Sequence, residues 1–83
     1  MNIIIYGRDG CGYCTKAVSA AQAVVQESKH TYTYKRLGAD YAVEEFANRF
    51  PNARTVPQIY VDEKHVGGCD DFIEFLEANN PPF

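Results

Sequence analysis

Long apolar runs are missing from this sequence. The longest, Ile3-Ile4-Ile5-Tyr6, covers four residues, where a membrane span needs about 20. No basic stretch leads into an apolar one at the start, so no secretory signal is visible and a cytoplasmic location is expected. Positive charge is also scarce, with 8 Lys and Arg against 11 Asp and Glu for a net charge of −3. Lys35-Arg36 is the one adjacent basic pair and reads as a solvated strand end, which excludes the basic stripe of a nucleic-acid binder. Repeats, linkers and low-complexity stretches are absent. Residues 1–83 therefore read as one domain, with a globular 46% hydrophobic and 23% charged composition. Cysteine is sparse and odd in number: Cys11, Cys14 and Cys69. That count makes a poor disulfide framework, and a Cys-x-x-Cys pair in such a chain points to redox or metal chemistry instead.

What is present is a clear alternation of periods. Asn2–Tyr6 reads as a buried strand, and Gly7-Arg8-Asp9-Gly10 as a loop. From Cys14, the residues Ala17, Val18, Ala21, Val24 and Val25 fall at helical spacing. Thr31–Tyr34 is β-branched and aromatic, hence a second strand. Asp40 is placed to cap a helix whose apolar face is Val43, Phe46, Ala47 and Phe50, and Pro51 stops it. Gln58–Val61 is a third strand. Asp62-Glu63-Lys64 is a turn, and His65-Val66 a short fourth strand closed by Gly67-Gly68. The last helix has Phe72, Phe75 and Leu76 as its apolar face, has capping-box spacing at Asp71 and Glu74, and ends at Asn79-Asn80-Pro81-Pro82. The order β-α-β-α-β-β-α predicts an α/β domain. Its first two strands pair in parallel through a right-handed crossover, its last two form an antiparallel hairpin, and three helices pack on a mixed four-stranded sheet.

Cys11-Gly12-Tyr13-Cys14 lies between the first strand and the first helix. Cys11 is thus placed at a helix N-terminus, where unpaired N–H groups and the positive dipole end favour the nucleophilic thiolate. Arg8 adds a fixed positive charge nearby. Cys14, at i+3, shares a face with Cys11, so the two sulfurs are able to bridge: one attacks, the other resolves. A zinc site needs four ligands, but only Cys69, His30 and His65 remain and none is paired. An inert thiol pair and a Cys–His hydrolase carry less weight than redox chemistry.

Three segments carry a resemblance. Gly7-Arg8-Asp9-Gly10-Cys11-Gly12-Tyr13-Cys14 resembles the active-site segment of the glutaredoxins. Thr55-Val56-Pro57-Gln58-Ile59-Tyr60-Val61-Asp62 is similar to that family's second motif, and His65-Val66-Gly67-Gly68-Cys69-Asp70-Asp71-Phe72 to its third. Their order and spacing agree over essentially the whole chain. The likeness is nearest to the small bacterial type that phages also carry. It implies a thioredoxin-like (glutaredoxin) fold, a cis Val56–Pro57 bond facing the cysteines, and a dithiol, glutathione-dependent thiol–disulfide oxidoreductase. In that reading Cys11 is the nucleophile and Cys14 the resolving cysteine.

Glutathione offers two carboxylates, an amine and a thiol. The resemblance assigns Arg8 to the glycyl carboxylate, which a guanidinium can grip with two hydrogen bonds, and places Tyr13 beside the sulfur. In the Thr55-Val56-Pro57 segment, the Val56 N–H and C=O would pair with the tripeptide like an added strand. Gly67-Gly68 allows close approach, and the helix start that follows, with Cys69, Asp70 and Asp71, would receive the γ-glutamyl end. Plainer readings compete: Arg8 as a loop charge, Tyr13 as a cover for the helix start, Thr55 as a strand-end hydrogen bonder, Asp70 and Asp71 as caps. Tyr34, Phe46, Phe72 and Phe75 are read as packing, and His65 as a strand residue.

Relatives usually have proline where this chain has Gly12. Some members without it share a [2Fe–2S] cluster between two subunits, so a cluster on Cys11 is a second expectation, and only then a dimer; otherwise a monomer is expected. Many relatives also carry a hydroxyl residue at position 70. Cys69 reads either as a gap-filling residue or as a third thiol near the site. The expected partners are glutathione and disulfide-containing or glutathionylated proteins, ribonucleotide reductase among them. Coupling to thioredoxin reductase is the rival electron source.

Overall fold

The computed structural model describes residues 1–26, 30–53 and 55–79. Its elements, in order, are β1 (Asn2–Gly7), α1 (Gly12–Val25), β2 (Thr31–Arg36), α2 (Val43–Arg49), β3 (Gln58–Val61), β4 (Lys64–Gly67) and α3 (Cys69–Asn79). The four strands form one sheet in the order β2-β1-β3-β4. β1 runs parallel to β2 and antiparallel to β3, and β3 is antiparallel to β4. The order, the mixed sheet and its three helices match the sequence reading.

The strand periodicity divides the sheet into two faces. Ile3, Ile5, Ile59 and Val61 meet Ala17, Ala21 and Val24 of α1 and Phe72 and Leu76 of α3 in one aliphatic cluster. Small alanines at i and i+4 let α1 lie close to the strands. On the opposite face Tyr6, Tyr41 and Phe50 form an aromatic cluster, joined by Phe46 and Tyr60. Tyr6 meets Tyr41 and Phe50 edge-on, with ring centroids 5.2 and 5.3 Å apart, the arrangement that ring quadrupoles favour. The β3–β4 connection is a two-residue turn at Asp62 (φ 50°) and Glu63 (φ 69°). Two positive φ values match its twist to that of the strands. Among the described residues, no helix is long and apolar enough to cross a membrane.

Several boundaries and caps differ from expectation. Gly7, read as loop, closes β1, and β2 extends to Arg36. Lys64, read as turn, opens β4. Asp40 does not cap α2: the N-cap is Ala42, without a side-chain hydrogen bond. The Asp40 carboxylate instead accepts the Arg36 N–H at 2.9 Å, closing the loop after β2. Within α2, Val43 and Ala47 are exposed and no residue is fully buried. Seven residues make under two turns, so only Phe46 and the capping Phe50 reach the sheet. α3 begins at Cys69, two residues before the expected cap. Asp71 is therefore inside the first turn, and its carboxylate reaches back to the Gly68 N–H at 3.3 Å. That is the returning half of a capping box, with no part for Glu74. The stop read at residues 80–82 lies outside the described residues.

Candidate active site

Cys11 ends the loop after β1 and caps α1. Its backbone is extended (φ −101°, ψ 112°), and its sulfur accepts the Cys14 N–H at 3.2 Å. The first turn of a helix presents unpaired N–H groups and the positive end of the dipole, so negative charge on this sulfur is stabilised when it is a thiolate. No acidic residue in the first turn of α1 opposes that. Cys11 and Cys14 are joined in a disulfide, with Cα atoms 5.2 Å apart. Their access differs: Cys14 is 1% exposed and Cys11 9%. The Cys11 sulfur faces the Val56 carbonyl oxygen at 3.8 Å.

Two cavities flank this sulfur and share Tyr13, Thr55 and Val56 as walls. The first, about 430 Å³, contains Cys11 and Arg8 and has an apolar side of Leu37, Val43 and Phe46. The second, about 310 Å³, runs along Pro57 to Gly68, Cys69, Asp70 and Asp71. The residues singled out for glutathione thus line one continuous stretch of surface, Arg8 at one end and the start of α3 at the other. The Val56–Pro57 bond is cis. Gly67 has φ +119°, and a β-carbon there would sit 3.0 Å from that of Asp71; only glycine suits both demands.

Cys69 is buried in the aliphatic core. Burial pushes its thiol above the usual value, with the Lys16 charge opposing and Asp70 adding to the effect. It is therefore a neutral packing thiol near pH 7. Among the described residues, no group of three His, Cys, Asp or Glu side chains is placed to hold a metal ion.

Two contributors were not visible as such in the sequence. The Tyr41 hydroxyl donates to the Gly7 carbonyl at 2.7 Å, and the Tyr34 hydroxyl to the Arg8 carbonyl at 3.1 Å. Burial pushes both phenols up, so each remains a donor. Together they fix the backbone that leads into Cys11. Gly7 is required by the same packing, since a β-carbon there would lie 2.8 Å from the Tyr34 ring and 2.9 Å from the Cys14 sulfur. Spacing identifies aromatic residues but not where their hydroxyls point.

The Glutaredoxin family model matches residues 3–66. Glutaredoxin 1 of Salmonella typhimurium is 35% identical over 82 residues, covering 95% of this chain and 94% of the relative. The glutaredoxin of Vibrio cholerae is 33% identical over 82 residues, with coverage of 95% and 94%. The solution structure of oxidised Escherichia coli glutaredoxin superposes with a TM-score of 0.82 at 34% identity, covering 96% of this chain and 98% of that one.

Proposed function

Because the chain belongs to the glutaredoxin family and is a thiol–disulfide oxidoreductase of the bacterial dithiol type, we propose a division of labour between its two active-site sulfurs, with glutathione as the electron donor. Cys11 is the nucleophile. As a thiolate it attacks one sulfur of a substrate disulfide, forms a mixed disulfide and releases the other sulfur as a thiolate. Cys14 then attacks the Cys11 sulfur, frees the second substrate thiol and leaves the Cys11–Cys14 disulfide. Two glutathione molecules reduce that bond and depart as glutathione disulfide. With a glutathionylated protein, Cys11 takes the glutathionyl group, the protein thiol leaves, and a second glutathione resolves the intermediate.

The difference in access between the two sulfurs carries this reading. An incoming disulfide meets Cys11, capped by the Cys14 N–H, while Cys14 is within reach only of Cys11. Glutathione would lie along the shared wall, its backbone paired with the Val56 N–H and C=O. Arg8 would take the glycyl carboxylate, and the first N–H groups of α3 the γ-glutamyl carboxylate. Asp71 holds the Gly68 N–H with one oxygen and would meet the amine with the other. Tyr13, Thr55, Pro57, Gly68, Cys69 and Asp70 complete the wall.

The test is steady-state reduction of a glutathione mixed disulfide coupled to glutathione reductase and NADPH. Turnover by wild type and Cys14→Ser, with none by Cys11→Ser, is the expected result. Turnover only with thioredoxin reductase would overturn the glutathione assignment. The same assay with an oxidised client, ribonucleotide reductase included, would identify the protein substrate. A bridging [2Fe–2S] cluster would take one Cys11 thiolate from each of two protomers and two glutathione thiols, and Gly12 has open space around it. Anaerobic reconstitution that stays colourless and monomeric would exclude that role.

A further inference from the structure

Tyrosines and cysteines aside, Gln58 is the one buried polar side chain among the described residues, at 7% exposure. It stands at the start of β3, one residue past Pro57, and points to the aromatic face of the sheet beside Tyr6 and Tyr60. Both ends of its amide are engaged. Its Nε2 donates to the Thr55 carbonyl at 3.0 Å. Its Oε1 lies 2.8 Å from the His65 Nε2 on β4. These roles fix each other: the carbonyl of Thr55 accepts only, so the amide nitrogen must face it, and the oxygen left over requires a donor from His65. The His65 ring is held in turn against Phe50, at 4.9 Å between centroids, and Tyr60, at 5.5 Å. A buried amide is costly unless both its donor and acceptor are paired. What this one secures is the backbone of Thr55, directly before Val56.

We propose that Gln58 is a positioning residue for the substrate-binding backbone at Thr55–Pro57, and that His65 sets the orientation of its amide. The proposal deepens the glutathione reading above and rests on it. Loop backbone that pairs with an extended ligand must present its N–H and C=O in a fixed direction before the ligand arrives, because freedom there is lost on binding. Gln58 removes that freedom at Thr55, and His65 prevents the amide from turning its oxygen toward the Thr55 carbonyl.

Two variants separate positioning from packing. Gln58→Leu keeps apolar volume and removes both hydrogen bonds. His65→Phe, at an exposed position, keeps a ring for the contacts with Phe50 and Tyr60 and removes only the donor. Each is expected to raise KM for a glutathionylated substrate about three- to tenfold with little change in kcat. The double variant should be no worse than Gln58→Leu, since residues acting through one path are not additive. In ¹⁵N-labelled protein the Thr55 and Val56 amide signals should shift in both single variants while that of Ile5 does not. Wild-type KM in His65→Phe, losses that multiply in the double variant, or a lowered unfolding midpoint with unchanged KM and amide signals would each overturn the proposal. If Gln58→Leu does not fold, His65→Phe decides it. If wild type itself fails to turn over glutathione mixed disulfides, the glutathione reading falls, and the amide signals alone decide whether Gln58 holds the loop.

Discussion

Under α1 and α3 the sheet presents Ile3, Ile5, Ile59 and Val61, whereas under α2 it presents Tyr6, Gln58 and Tyr60. The first face is covered by two long helices and held by burial of aliphatic surface, a force without direction. The second is covered by a seven-residue helix in which no residue is fully buried and Phe46 alone packs on the aromatic cluster. Aromatic edges and hydrogen bonds with fixed partners hold it: Tyr41 on the Gly7 carbonyl, Gln58 on the Thr55 carbonyl. Both carbonyls belong to the segments that flank Cys11. Stability and site geometry are thus drawn from opposite sides of one sheet, because directional contacts hold a backbone atom in place where burial alone does not.

The sharpest way to break that division is Phe72→Ala on the aliphatic face. It should cost about 3–5 kcal/mol, read as a fall in the urea midpoint, while the folded fraction keeps its KM. Tyr41→Phe on the other face should cost only about 1 kcal/mol, the net worth of one hydrogen bond, since the Gly7 carbonyl also accepts the Leu37 N–H. Its main effect should appear as a raised KM for the glutathionylated substrate; equal KM in both variants would refute the contrast. Alkaline pH gives a third, smaller probe in the oxidised protein, where Cys11 and Cys14 do not titrate. Burial raises the Cys69 thiol from 9.0 and the Tyr41 phenol from 10.0. A raised folded-state value means the native state holds its proton more tightly. Stability is therefore full below the ordinary value and is lost as pH rises through the folded one. Urea midpoints should begin to fall near pH 9 in wild type, but only near pH 10 in Cys69→Ala. Least of all, Val43→Ser, 64% exposed on α2, should change stability by under about 0.5 kcal/mol.

The two faces were also unequally legible in the sequence. Ile3, Ile5, Ala17, Ala21, Phe72 and Leu76 announce themselves because burial follows the strand and helix periods directly. The same rule misled at α2, where Val43 and Ala47 fit the period but stay exposed. Period reports which residues share a side of a helix, not whether another surface lies against it. Asp40 and Asp71 were recognisable as terminus residues by type, yet their partners depended on where each helix begins, which spacing leaves open by a few residues. The cysteine pair and the Thr55–Pro57 and Gly67–Asp71 segments were readable from their motifs. The supporting hydrogen bonds of Tyr34, Tyr41 and Gln58 were not, because a side-chain polar atom finds its partner only after the sheet has closed.

The seal over Cys14 bears on survival under peroxide. Oxidation of the Cys11 thiolate gives a sulfenic acid, which would advance to irreversible acids if left alone. Here the next thiol stands at i+3 on the same helix turn, shielded from solvent at 1% exposure and directed at Cys11. Condensation of that acid with the Cys14 thiol releases water and needs no further oxidant, so limited peroxide is expected to yield the Cys11–Cys14 disulfide rather than a sulfinic acid. The burial of Cys14 would thus also keep it intact as a fuse for its more exposed neighbour.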